Sequence, residues 1–523
     1  MHIVRSLPHL GVSLLLVVQC VMGEWNQIGN DIDGENARDF AGGTQSALAM
    51  NRQGTTIAVG ANGHDGDGGT NAGHVRVFDY SVDDEVWVQR GDDIQGELAG
   101  DGSGTSVVLS DDGSVVGIGE PYSEGGNTGK YYKDFGQVRV FEWKNESWLQ
   151  RGEAIVGAAK YNFATEAGGL AMDASGSTVI VGASNYDDER DGNTNPNQNS
   201  GHVRVFDWDG ESDSWVQRGN DIHGEAEGDW FGGAVAASAN GNTVAVGALF
   251  NNVDEEAGER RGSVRIFKWN KRSKKWMQRG SDVDGEQDYD FSGSSVAMND
   301  KGNVVAIGSP RTNAPYGDPE RGSVTVYKWD GSDWQKRGTR IEGQADGDIS
   351  GSTVALSAQG NTLAIGAWLN NGSTDSEGHV RVFDWDNESW QQRGNDIDGE
   401  NKFDYSGYSI AMSADGGTLA SGARFTNDVY YQGGHARIFR WSDGCGDSRF
   451  KESEDGKRHN LRIKRFPRKK VGSVKACNKK CAKKSGCIGV TWNPSNERKP
   501  CTTLKGSRTK QCGKGHVCCT YIK

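Results

Sequence analysis

The sequence has 523 residues, among them 76 Gly and only 9 Pro, and its 58 Lys and Arg against 71 Asp and Glu give a net charge of −13. The glycine follows no one-in-three period and has little proline beside it, which excludes collagen; 16 Trp exclude a wholly disordered chain. Length alone suggests three or four domains, unless the chain is built from repeats.

Residues 1–23 read as a secretory signal, with Arg5 as the positive n-region, an apolar core from Leu10 to Val18 and a cut before Glu24. The apolar stretch is shorter than the ~20 residues of a membrane span. A secreted, extracellular protein without a transmembrane segment is expected.

From Trp25 the chain repeats. WNQIG at Trp25 is followed by WVQRG at Trp87, WLQRG at Trp148, WVQRG at Trp215, WMQRG at Trp276, WQKRG at Trp334 and WQQRG at Trp390, all 56 to 67 residues apart. Each unit holds four short Val-rich runs separated by Gly, Asn and Asp, the signature of strands. We label them A (SVAMS type), B (TVAIGA type), C (GHVRVF type) and D (WVQRG type). Seven such units predict an all-β fold, a seven-bladed β-propeller of four-stranded blades over residues 24–444. The chain begins on a D run and ends on a C run, HARIF at His435, so the N-terminal strand is expected to close the ring.

Six C runs end in Trp143, Trp208, Trp269, Trp329, Trp385 and Trp441, and the remaining one in Tyr80. The number of residues between each aromatic and the next D-run Trp is four or six. Even lengths keep the two rings opposed across the C–D hairpin, so these Trp are read as packing. The A–B connections are tight turns such as ADGG at Ala414 and ANGN at Ala239.

FGGAVAASANGNTVAVGA from Phe231, DFSGSSVAMNDKGNVVAIGSP from Asp290 and DYSGYSIAMSADGGTLASGA from Asp404 resemble FG-GAP repeats of the integrin α-subunit N-terminal propeller. The resemblance covers residues 25–441 and implies extracellular recognition. Calcium-binding FG-GAP blades carry a D-x-D-x-D-G loop between A and B, and here that connection is a bare turn. The family's calcium sites do not carry over, and no cofactor is expected.

Long, variable B–C loops, including EPYSEGGNTGKYYKDFG from Glu120 and SNYDDERDGNTNPNQNS from Ser184, lie on one face with the D–A connections. That face is the expected binding face. The D–A connections repeat G-E-x-x-x-D at Glu35/Asp39, Glu97/Asp101, Glu225/Asp229, Glu286/Asp290 and Glu400/Asp404. These pairs could supply oxygen ligands for Ca²⁺ or an anionic collar. Repetition in successive blades favours the other reading, carboxylates bonded to the backbone of their own loops. His74, His202, His379 and His435 precede equivalent C runs and read as part of the repeat. N-x-S/T sequons at Asn145, Asn371 and Asn387 are candidate glycosylation sites. No catalytic motif is present: the sequence has no G-x-S-x-G, H-E-x-x-H or P-loop.

Charge divides the chain near residue 444. Residues 24–444 carry 35 Lys and Arg against 66 Asp and Glu, a net of −31; residues 445–523 carry 22 against 5, a net of +17. Residues 445–473 form a basic linker in which RIKR, ending at Arg465, fits a furin-like processing pattern. Cys445, Cys477, Cys481, Cys487, Cys501, Cys512, Cys518 and Cys519 all lie in this last part, and an even, clustered set in a secreted chain reads as disulfides of undetermined pairing. Residues 474–523 resemble a PAN/Apple module through C-x3-C at Cys477 and Cys481, Cys487 leading an apolar strand, and C-x-x-L at Cys501. The resemblance implies a small disulfide-rich α+β domain binding protein or carbohydrate.

The expected function is that of a secreted, non-enzymatic adhesion or binding protein for an extracellular protein or anionic glycan, without nucleic acid. The alternative is a carbohydrate-active propeller enzyme, a hydrolase or lyase, which would need carboxylates converging in a cleft.

Overall fold

The computed structural model describes residues 23–124, 135–158, 168–186, 199–252, 260–312, 320–371, 375–426 and 431–442, and three short strands nearer the C-terminus. Residues Gly23–Trp441 form one compact unit. It is a seven-bladed β-propeller of antiparallel sheets. Blade 1 consists of Leu48–Met50, Thr56–Ala61, His74–Ser81 and Val86–Gln89, and blades 2 to 6 repeat the order. Blade 7 takes Ser406–Met412, Thr418–Ala423 and His435–Ser442 from the end of the repeat region and Glu24–Gln27 from its beginning. Trp25 meets Trp441 edge to face at 5.4 Å, which closes the ring as the orphan runs required.

Each sheet has one more strand than four runs imply, because the D run is broken. In blade 1, Val86–Gln89 and Ile94–Gln95 both pair with His74–Ser81. The break falls at Arg90-Gly91, where Gly91 has φ 73°. The opposed aromatics fall in register: Tyr80 faces Trp87, Trp143 faces Trp148 and Trp269 faces Trp276.

The W-x-Q-R-G motif joins blade to blade. Every D-run Trp donates its indole N–H to the main-chain carbonyl of residue Arg, or of Ile28, in the preceding D run, at 2.7 to 3.1 Å, including Trp25 to Arg393 across the closure. The Arg of the motif donates in turn to the A–B turn of the next blade, as Arg218 does to the Gly241 carbonyl. Its guanidinium also lies over the next blade's C-strand aromatic, with Arg279 4.5 Å from the Trp329 centroid. The motif's Gly is needed for clearance as well: a Cβ on Gly219 would sit 2.7 Å from the Trp269 ring.

The hydrophobic core lies between blades. In one cluster Val264 and Ile266 of blade 4 pack with Val305, Ile307 and Trp334 of blade 5, all buried. The A strands surround a central channel whose A–B end is sealed by a ring of main-chain hydrogen bonds. Residues 52, 111, 174, 239, 300, 358 and 414 each donate N–H to the carbonyl of the next, and the last returns to Arg52. The Arg52 side chain bridges Asp111 and Asp300 over this end.

Near the C-terminus, Arg462–Arg465, Gly489–Trp492 and Cys501–Lys505 form an antiparallel sheet with the last strand central. The C-x3-C segment at Cys477 and Cys481 lies outside the described residues, and the expected disulfides of the eight late cysteines lie outside the residues whose side chains are described. No helix among the described residues is long and apolar enough to cross a membrane.

Trp276→Phe keeps the aromatic pair but removes the N–H bonded to the Arg218 carbonyl at 2.9 Å. It is expected to lower stability by about 1 kcal/mol, measured from urea unfolding midpoints at unchanged slope.

Candidate functional site

The repeated acidic pairs sit at the blade boundaries on the face of the B–C and D–A connections. Asp39 accepts from the N–H groups of Glu35 and Asn36, both at 2.8 Å. Asp229, Asp290 and Asp404 do the same in their own loops. The glutamates reach across to the next blade's C-strand Arg: Glu35 to Arg76 at 3.4 Å, Glu97 to Arg139 at 3.7 Å, Glu225 to Arg265 and Glu400 to Arg437 at 3.2 Å. Blade 5 has Thr325 in place of this Arg, and Glu286 pairs with Lys336 and Arg340. Each pair thus serves a separate boundary. Sequence reading missed Asp348, which accepts from Gln344 and Ala345 in the same way, because Gln344 removes the Glu from the pattern.

The Asp of each pair has a second partner in several blades. His64 Nδ1 lies 3.1 Å from Asp39, while Asn251 donates to Asp229 and Asn370 to Asp348. His64, Glu35 and His74 also lie close enough together to suggest an ion site. The His64 and His74 rings are stacked 3.9 Å apart at an interplanar angle of 19°, so their in-plane lone pairs do not converge on one point. Tyr186 stacks on His202 in the same manner.

Blade 2 departs from the repeat. The B strand ends in Glu120, where blades 1, 3, 4, 6 and 7 have Ala and blade 5 has Ser, and the C strand opens with Gln137 where four blades have His. Glu120 is fully buried. Arg139 donates to its Oε1 through Nε at 2.8 Å and through Nη2, and Gln137 donates to Oε2 at 2.6 Å. Asp101, 2% exposed, accepts from the Leu98 N–H at 2.9 Å. Burial, with the nearby Glu120 and Glu97 charges adding to it, raises its carboxyl to about 6. One carboxyl group is therefore clamped by donors while its neighbour holds a proton far above the usual range. Tyr122, 40% exposed, packs on Gly102 beside Asp101.

Elsewhere the channel holds a cavity of about 120 Å³ lined by Ser46, Leu48, Leu170, Ser295 and Thr353, without a charged side chain. Asn145 and Asn387 occupy C–D turns with φ 52° and 86°, and Asn371 borders undescribed residues. Most of the long B–C loops lie outside the described residues.

No family model matches the chain, and no curated protein matches it. Solved structures with some likeness include a protein assigned as a 6-phosphogluconolactonase from Bacteroides uniformis, at 12% identity and TM-score 0.45, covering 71% of this chain and 89% of that one. Another is the periplasmic gluconolactonase of Pseudomonas aeruginosa, at 13% identity and TM-score 0.42, covering 68% and 86%. A protein of Bacteroides fragilis assigned as a 6-phosphogluconolactonase gives 12% and 0.43, covering 71% and 88%. At such identities no residue role carries across. The expectation of a non-enzymatic adhesion protein of integrin type is corrected on this finding, because these propellers are described as lactonases and not as adhesion or protein-binding modules.

Burial holds His74, His202 and His379 below the ordinary histidine value. The unfolded chain therefore takes up protons that the folded chain refuses, and stability falls as pH drops through about 6.5. His64, raised chiefly by its hydrogen bond to Asp39, and Asp101 act in the opposite sense. His202→Gln, the residue blade 2 carries at this position, should flatten the loss of unfolding midpoint between pH 7 and pH 5; a slope equal to the parent's would show that His202 is protonated without cost.

Proposed function

We propose that the chain is a secreted, carbohydrate-active propeller hydrolase, FG-GAP-like in its repeats and PAN/Apple-like in its tail, with Asp101 as its acid–base group. The observation that carries this reading is the break in blade 2, where Glu120 replaces a small residue and lies near Asp101, whose carboxyl burial raises to about 6. Asp101 belongs to the repeated D–A aspartates; what sets blade 2 apart is Glu120 beside it, where the other blades have Ala or Ser. A carboxyl raised toward neutral pH is suited to acid–base work.

Both oxygens of Glu120 are occupied by Arg139 and Gln137, so Glu120 positions charge and Asp101 moves the proton. With one mobile carboxyl, hydrolysis of a carbohydrate ester or lactone fits better than glycoside cleavage, which uses two. Asp101 would take a proton from water as the water oxygen adds to the carbonyl carbon, and return it to the leaving oxygen as that C–O bond breaks, giving acid and alcohol; Tyr122 would face the sugar.

The test is turnover of acetylated polysaccharides and aldonolactones by the full chain. Asp101→Asn is expected to lose about 10²-fold or more in kcat/KM. Burial chiefly raises Asp101 and the Glu120 charge adds to it, so Glu120→Gln should move the pH limb near 6 partway to lower pH in protein confirmed as folded. A folded parent that turns over none of these substrates, or an Asp101→Asn variant at full rate, would overturn the reading.

A further inference from the structure

Blade 4 breaks the repeat on the opposite face. Its C–D hairpin, formed by Ser263–Asn270 and Lys275–Gln278, carries Lys268, Lys271, Arg272, Lys274 and Lys275, all exposed. None of the five forms an ion pair with a described residue. The corresponding hairpins elsewhere are rich in acid, such as Asp83-Asp84-Glu85 in blade 1 and Asp209 to Asp213 in blade 3. Five uncompensated cations within eight residues, on a propeller of net charge −31, make a local field of inverted sign.

This hairpin borders a groove of about 600 Å³ shared with blade 5. Its floor includes Trp269, Trp329 and Met277, the last 51% exposed, and no carboxylate lines it. The nearest acids of blade 5 are engaged with main-chain N–H groups: Asp333 accepts from Ser281 and Trp334, and Asp330 from Ser332 and Asp333. Neither forms an ion pair with the five cations.

We infer that this groove binds an anionic polysaccharide, carboxylated or sulfated, and holds the substrate chain away from Asp101. The inference deepens the hydrolase reading by naming its substrate class, and so rests on it for the word substrate. The cations suit carboxylate or sulfate groups, and the indole edges with the Met277 thioether give a shallow apolar floor for the C–H surface of sugar rings. Nucleic acid fits less well, because base stacking needs a free aromatic face. Trp269 packs on Trp276 at 5.3 Å, and Trp329 lies between Trp334 and the Arg279 guanidinium. A bulky acidic protein would face the whole negative propeller, whereas a thin chain meets only the patch.

Lysine acetylation footprinting of the full chain, read residue by residue by mass spectrometry, separates this groove from the basic tail. Polygalacturonate and dextran sulfate are expected to slow acetylation of Lys268, Lys271, Lys274 and Lys275 by about threefold or more. Neutral dextran should leave the rates unchanged, and about 1 M salt should abolish the protection. Equal labelling of these four lysines with and without the polyanions, with protection confined to the tail, would overturn the proposal. So would protection by single-stranded DNA or polyglutamate as strong as that by the polysaccharides. Lys271→Gln/Arg272→Gln/Lys274→Gln should raise KM for anionic polysaccharide and leave kcat/KM for a small sugar ester unchanged. Protection without any turnover would retain the binding groove and refute only the hydrolase reading.

Discussion

The indole N–H of each D-strand Trp, held by a carbonyl of the preceding blade, is the constraint from which the architecture follows. A four-stranded sheet with an apolar face on each side cannot stand alone in water, so each blade requires two neighbours. The W-x-Q-R-G motif meets that need with three contacts at once: the indole bond backwards, the guanidinium forwards to an A–B turn, and the guanidinium over the next aromatic. The glycine is the space in which the next ring lies. Because every copy fixes the same offset, seven blades close without a special joint. Trp25 completes the last contact with the same chemistry as the rest.

The repeat also separates maintenance from function. The C-strand Arg, the D–A Glu that meets it and the D–A Asp that caps its own loop occur in blade after blade, and each satisfies buried main-chain or side-chain groups. Departures are few and local. Glu120 and Gln137 alter blade 2 on the loop face, and the cationic hairpin alters blade 4 on the other. The two lie on faces of different character, one with buried carboxyl groups, the other with exposed positive charge.

The propeller was legible because its signals are periodic. Trp spacing, the even C–D lengths and the orphan first strand each rest on side-chain alternation, which sequence displays directly. The broken D strand was not legible, since the Arg-Gly break looks like a strand end until its carbonyl is seen to accept an indole. Asp348 escaped because Gln344 interrupts the acidic pattern. Glu120 escaped for a more instructive reason: as a charged residue before Pro121 it was counted with the B–C loop, yet it is the last residue of the B strand and fully buried. Burial of a carboxylate depends on Arg139 and Gln137, partners some twenty residues away that only pairing of B with C brings alongside.

The closure by Glu24–Gln27 has a consequence for the protein's birth. Glu24–Gln27 belongs to the last blade, so once made it must wait for more than four hundred residues before it can pair with His435–Ser442. At ribosomal rates of about 5–20 residues per second, that wait is roughly 20 to 80 s. Throughout it, the nascent chain presents an unfilled blade and a lone Trp, and an early termination leaves a ring that cannot shut.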